Sequence, residues 1–114
     1  MRHYMSLLDR PFSKIMDGTK TIEIRLNDEK RRGISIGDDI TFTKVSDEAE
    51  TLTVQVVDLH PHPSFAALYQ AFSFAEFGCE GYTMEQLLSG TYDIYAKENE
   101  ARYGVLGIRV KRIG

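Results

Sequence analysis

The chain has 114 residues, 42% of them hydrophobic and 27% charged, proportions that exclude a disordered or fibrous protein and fit one domain spanning residues 1–114. Its formal net charge of -3 is divided unevenly, with net +2 over residues 1–45, net -9 over residues 46–100 and net +4 over residues 101–114, so an anionic partner meets the ends of the chain more readily than its middle. The lone cysteine, Cys79, excludes an internal disulfide and a cysteine-based zinc site, and with no h-region and no apolar run near ~18 residues the expected setting is cytoplasmic, off the membrane.

His3 to Asp9 has the length and apolar content of a first strand, which Arg10-Pro11 interrupts. Pro11 suits the first turn of a helix, where its missing N–H is no loss. Phe12, Ile15 and Met16 then share one helical face, and Gly18 is the expected stop. Thr19 to Arg25 reads as the second strand, with Ile22 and Ile24 on one face and Thr21, Glu23 and Arg25 on the other. Leu26 to Gly33 is a polar loop or a single helical turn. A tight Gly37-Asp38 turn leads into a strand with Ile40 and Phe42 on one side, and Ser46 to Glu50 reads as an acidic turn. The next strand, Leu52 to Leu59, is expected to end at His60-Pro61-His62-Pro63, because proline cannot donate to a ladder.

The following forty residues read as helical. Ser64 is placed to cap a helix carrying a Phe65, Leu68, Tyr69, Phe72 stripe. Thr83 with Gln86 three residues on forms a capping-box pattern, opening a short helix that Gly90 is expected to end. Tyr92, Tyr95 and Ala96 fall on one face of a third helix running to about Arg102, with Gly104 as its stop. The closing strand alternates Val105, Gly107, Arg109 and Lys111 with Leu106, Ile108 and Val110. This order predicts an α+β fold in which a small mixed sheet curls into a partial barrel with flanking helices; a dinucleotide-binding sheet would need a glycine fingerprint that is missing.

Glu23 and Arg25, two apart on a strand, project the same way and suit an ion pair or a shared ligand. Spacing alone favours an ordinary surface pair worth less than about 1 kcal/mol. Lys20 beside a carboxylate is a candidate for proton handling or for holding a phosphate. Lys30, Arg31 and Arg32 form a basic loop that reads either as a phosphate contact or as solvated surface. His60 and His62 point alike in an extended segment, but no third ligand accompanies them, so neither a metal nor a cofactor is assigned. Cys79 reads as a small buried residue. Most of the aromatic residues are needed for the core, leaving Tyr92, Tyr95 and Tyr103 as candidate cleft-lining rings.

The stretches PFSKIMDGTKTIEIRLND, RRGISIGDDITF and YGVLGIRVKRI together resemble the ASCH family, the activating signal cointegrator homology domain of the PUA-like superfamily. The resemblance covers nearly the whole chain and rests on G-x-K-x-x-E-x-R, carried by Gly18, Lys20, Glu23 and Arg25. It implies a PUA-like curled β-barrel with helices beside a cleft, that cleft lined by Lys20, Glu23 and Arg25, and a role in binding or processing RNA or a nucleotide, with a monomer favoured. A related branch is similar to acetylcytidine amidohydrolases, which use a lysine, a threonine nucleophile and a glutamate. Lys20 matches the lysine, whereas Glu23 stands where the threonine would be, and Glu76, Glu80 and Glu98 compete for the glutamate. The hydrolase activity is therefore not carried over. Three readings stand: an RNA- or nucleotide-binding module, an enzyme on RNA or modified nucleosides using Lys20 and Glu23, and an interaction scaffold with an idle cleft.

Overall fold

Proline and glycine set the first corner of the chain. In the computed structural model, which describes residues 1–113, strand β1 (Arg2–Leu7) gives way to helix α1 (Asp9–Met16), with Pro11 in its first turn and Phe12 and Ile15 buried on its inner face. The chain leaves α1 through Gly18 at φ +84°, a left-handed conformation open to glycine without a Cβ penalty. Thr19 to Thr21 stay outside the following strand, contrary to expectation. Lys20 N–H donates to the Lys14 carbonyl at 3.0 Å and Thr21 N–H to the Glu76 carbonyl at 2.9 Å, so both are tied to helical segments, and β2 is confined to Ile22–Leu26.

Helix α2 (Glu29–Arg32) is the single turn expected in the polar loop, capped by Asp28, whose carboxylate accepts from Arg31 N–H. Strands β3 (Asp39–Lys44) and β4 (Asp47–His62) follow. The acidic segment read as a turn is mostly strand: only Val45 and Ser46 turn, and Asp47 already sits opposite Lys44. Strand β4 also runs through Pro61 to His62, three residues past its expected end at Leu59. Its pairing with β3 stops at Gln55, while its pairing with β5 (Val105–Arg112) continues to His62 opposite Val105. Beyond Val56 one flank of β4 is a sheet edge, the place where a proline is tolerated. An irregularity between Val56 and Asp58 marks the corner where the strand turns from one partner to the other.

Between β4 and β5 lie α3 (Phe65–Ala71), a 3-10 turn (Phe74–Phe77), α4 (Met84–Tyr92) and α5 (Lys97–Tyr103). Ser64 caps α3 and the Thr83–Gln86 box caps α4 as expected. Gly90 does not end α4, which continues to Tyr92, and no helix carries Tyr92 and Tyr95 together because the chain turns between α4 and α5. That corner is fixed by Glu100, whose buried carboxylate accepts from Phe65 N–H at 2.8 Å and from the Tyr92 hydroxyl at 2.8 Å, satisfying one of the donors left open at the start of α3.

The five strands form one mixed sheet in the order β1-β3-β4-β5-β2, with only β1 and β3 parallel. Leu106, Ile108 and Val110 of β5 pack with Phe42, Val54 and Phe12 in one core, and Val105 packs with Ile22, Phe65, Leu68 and Tyr69 in the other. This is the curled α+β half-barrel with flanking helices that the strand and helix order predicts.

Near the start of the sheet, Asp38 accepts from His3 Nε2 at 2.8 Å and from Ser35 N–H at 3.0 Å. These bonds, the His3 one foremost, lower its carboxyl from 3.8 to about 2. A carboxyl lowered by folding adds stability that is complete above its ordinary value and is lost as pH falls through the folded one. Asp38→Asn is therefore expected to melt below the parent protein at pH 6, with the gap closing between about pH 4 and pH 2. Thermal melts across that range check it, and a gap independent of pH would rule the linkage out.

Candidate functional site

The motif residues enter the site from two different backbone states. Lys20 lies just ahead of β2, held by its own N–H on α1, while Glu23 and Arg25 alternate along β2 on the face opposite Ile22 and Ile24. Glu23 and Arg25 stand across from Ile108 and Leu106 of β5, so this polar face of the strand looks toward the barrel core and not toward solvent. Spacing alone favoured a surface pair, and the structure corrects that: Glu23 is 4% exposed.

Glu23 is the hub. Lys20 Nζ lies 2.9 Å from Oε1, and Arg25 reaches Oε2 with Nη2 at 2.8 Å and Nε at 3.0 Å. Burial opposes ionisation of Glu23, but Lys20 first and Arg25 second outweigh it and hold the carboxyl below the usual carboxylate range. Arg25 Nη2 also donates to the Ser6 carbonyl at 2.8 Å. Since β1 and β2 are the two edges of the sheet, this bond spans the gap between them, where no backbone ladder exists.

Gly78, at φ +76° after the 3-10 turn, allows the close approach behind Lys20. A Cβ there would lie 3.0 Å from Lys14 Cδ and 3.1 Å from Lys20 Cβ. Lys14 Nζ in turn donates to the Gly78 carbonyl. A cleft of about 450 Å³ opens beside these groups, lined by residues of β1, α1, β2, α3 and α4 and by the Phe77–Tyr82 segment. Its basic side chains are Arg10, Lys14, Lys20 and Arg25, and Glu23 is its single carboxylate. Its rings are Tyr69, Phe77, Tyr82 and Tyr95. Tyr95 stacks on Phe65 at 5.3 Å, and Arg10 stands 5.7 Å from the centre of the Tyr82 ring. Burial pushes the Tyr69 hydroxyl up to about 12, against its 2.7 Å bond to Thr91, and raises that of Tyr95 despite the nearby Arg25.

Of the residues singled out in the sequence, Lys20, Glu23, Arg25 and Tyr95 line this cleft. Lys30 and Arg31 line a second hollow of about 370 Å³ on which Arg25 also borders, whereas Arg32 binds the Asn27 carbonyl and lines neither. Tyr92 also lies outside both, its hydroxyl on Glu100 and its ring beneath Lys97. Tyr103 is absent from both walls and sits beside Arg102. Cys79 is half-buried in the cleft wall and not a core residue. Glu76 pairs with Arg109 at 2.8 Å, and neither it nor the exposed Glu80 and Glu98 reaches the cleft. His60 packs on Phe72, and among the described residues no group of three or more His, Cys, Asp and Glu is placed to hold a metal ion.

Sequence reasoning missed Arg10, Lys14, Tyr69 and Tyr82. The i, i+4 spacing of Arg10 and Lys14 on a short amphipathic helix was a usable signal, since both had to fall on one side of α1. Nothing local marked Tyr69 or Tyr82.

The model of the ASCH domain matches residues 5–114. Among solved structures, the chain is similar to the hypothetical protein PH0355, with 31% identity over 99% of this chain and 100% of that one and a TM-score of 0.89. It is also similar to protein PF0455 of Pyrococcus furiosus, with 27% identity, 99% and 98% coverage and a TM-score of 0.77. A variant of ZmASCH from Zymomonas mobilis shares the fold at 13% identity and a TM-score of 0.66, covering 96% of this chain and 67% of that one. No curated protein sequence matches. Among the described residues no helix is long and apolar enough to cross a membrane. With the family model spanning all but the first four residues, the G-x-K-x-x-E-x-R chain belongs to the ASCH domain family.

Proposed function

We propose that the cleft around Lys20, Glu23 and Arg25 binds a nucleotide of single-stranded RNA. The observation that carries this reading is a contrast of charge: a chain of net charge -3 gathers four basic side chains against one carboxylate in a cleft walled by aromatic rings. Bases and rings together suit a ligand that is both anionic and flat. Lys20 and Arg25 carry more N–H donors than Glu23 takes up, so the cleft floor offers donors to the acceptor edge of a nucleobase or to a phosphate. Arg10 and Lys14 on α1 supply charge for a phosphate. Membership in the ASCH family supports an RNA partner.

Binding is preferred to catalysis here because the candidate chemical groups already serve one another. Lys20 and Glu23 are ion-paired, and the buried hydroxyl of Thr91 donates to the Leu87 carbonyl.

Fluorescence anisotropy with a labelled RNA pentanucleotide tests the reading at two salt concentrations. Binding is expected at low salt and weaker at high salt. Tyr82→Ala combined with Arg10→Ala touches exposed residues and leaves the core intact, and it is expected to weaken binding by about tenfold or more. Absence of binding to the parent protein, or equal binding to the variant, would overturn the assignment.

A further inference from the structure

The second hollow differs in kind from the cleft. It measures about 370 Å³ and is bordered by Tyr4, Met5, Ser6, Thr43 and three bases, Arg25, Lys30 and Arg31, with no acid among them. Ser6 and Arg25 border both cavities, so the Arg25–Ser6 bond is a shared partition. Arg31 is set there by the structure of α2: its N–H is held by the Asp28 cap at 3.1 Å, and its Nη1 lies 3.4 Å from the same carboxylate. Its Nε is shielded from solvent and has no hydrogen-bond partner among the described residues. Three cations around one hollow whose lining holds no acid are matched by an oxyanion, since phosphate oxygens accept several charge-assisted bonds at once.

We infer that this hollow is a phosphate subsite, taking the backbone phosphate next to the nucleotide held in the cleft. The inference rests on the binding reading above and deepens it: the ligand is an RNA chain of at least two nucleotides, which crosses the β1–β2 gap at Arg25, and a lone nucleoside fills only half the site. Arg25 touches the ligand on both sides of the partition. Lys30 and Arg31 then recognise the chain's continuity and no particular base.

The test uses the full chain with Lys30→Gln and Arg31→Gln combined. Lys30 is exposed and Arg31 half-buried against Asp28, so a thermal melt of the variant confirms that it is folded at the temperature of the binding assay, and Lys30→Gln alone, on the exposed side chain, repeats the test with a smaller loss expected in the same direction. The pentanucleotide is expected to bind the variant about tenfold more weakly, and the slope of log affinity against log salt is expected to fall by about 0.7, the share of a single phosphate that is no longer neutralised. Inorganic phosphate alone, followed by amide chemical shifts, separates the sources of the anion. Pentanucleotide binding that is equal in parent and variant, in affinity and slope, overturns the subsite and leaves the cleft reading standing. No pentanucleotide binding to the parent protein overturns both. Phosphate shifting the Lys30 and Arg31 amides while the RNA fails to bind overturns the RNA subsite in favour of a free-anion site.

Discussion

Glu23→Ala is expected to lower the unfolding free energy by about 3–5 kcal/mol, a large share of the roughly 5–15 kcal/mol typical of a domain. The magnitude follows from what is left behind. Lys20 and Arg25 have side chains only 10% and 14% exposed, and without Glu23 two cations face each other across a cavity with no counter-charge. Urea unfolding at constant pH measures the loss. Glu23→Gln, which keeps the volume and an acceptor but no charge, is expected to fall between parent and alanine variant. The linkage has a definite sign: because the folded carboxyl is lowered, Glu23 contributes in full above the ordinary 4.5 and loses its contribution as pH falls through the folded value. The gap between parent and variant should therefore narrow on acidification. A loss near 1 kcal/mol, unchanged by acid, would mean that the pair behaves as solvated surface charge.

Gly104→Ala is expected to be the most damaging glycine substitution among the described residues. Gly104 has φ +71° and ψ -170°, a region essentially reserved for glycine, where another residue costs of order 1–3 kcal/mol. Its added Cβ would also lie 3.0 Å from the His62 carbonyl oxygen, a backbone atom that cannot swing aside. The same residue donates to the Glu100 carbonyl at 2.8 Å and accepts from Asn27 N–H at 3.0 Å, so a shift there disturbs α5, the end of β2 and the start of β5 together. Gly90→Ala makes the contrasting control. Gly90 is helical and its Cβ meets nothing within 4 Å, so alanine is expected to stabilise α4 by about 0.5–1 kcal/mol. Denaturation of both variants checks opposite signs for the same chemical change, and equal effects would refute the conformational argument.

Local signals carried much of the fold. The Phe12–Ile15–Met16 spacing, the Ser64 cap and the Thr83–Gln86 box are each complete within one turn of chain, and each is found where expected. The errors fall where a distant partner decides. Pro61 lies in a ladder because β5 supplies a partner and β3 does not, a fact about strand order. Asp47 is strand because it pairs with Lys44 of β3, and Glu48 to Glu50 form an irregularity before the ladder resumes at Thr51 opposite Thr43, an arrangement that the composition of the segment does not announce. Tyr92 turns to Glu100, eight residues away across a corner that no periodicity announces. The site divides in the same way. Lys20, Glu23 and Arg25 were legible as a motif, but the burial that makes Glu23 a hub comes from β5 and the helices packed beyond it, and the rings other than Tyr95 arrive from α3 and the Phe77–Tyr82 segment.

The bond from Arg25 to Ser6 closes the barrel with a side chain where a ladder would otherwise be needed. Elsewhere in the sheet, neighbouring strands stand at the fixed spacing that backbone pairing imposes, about 4.7–4.9 Å. Across the seam the link is the reach of one side chain. A shorter residue at position 25 would remove this bridge and, in the same step, take from buried Glu23 the guanidinium that holds its Oε2. Closure of the seam and solidity of the fold are thus coupled through one guanidinium, which joins the two edge strands and neutralises the buried carboxylate at once.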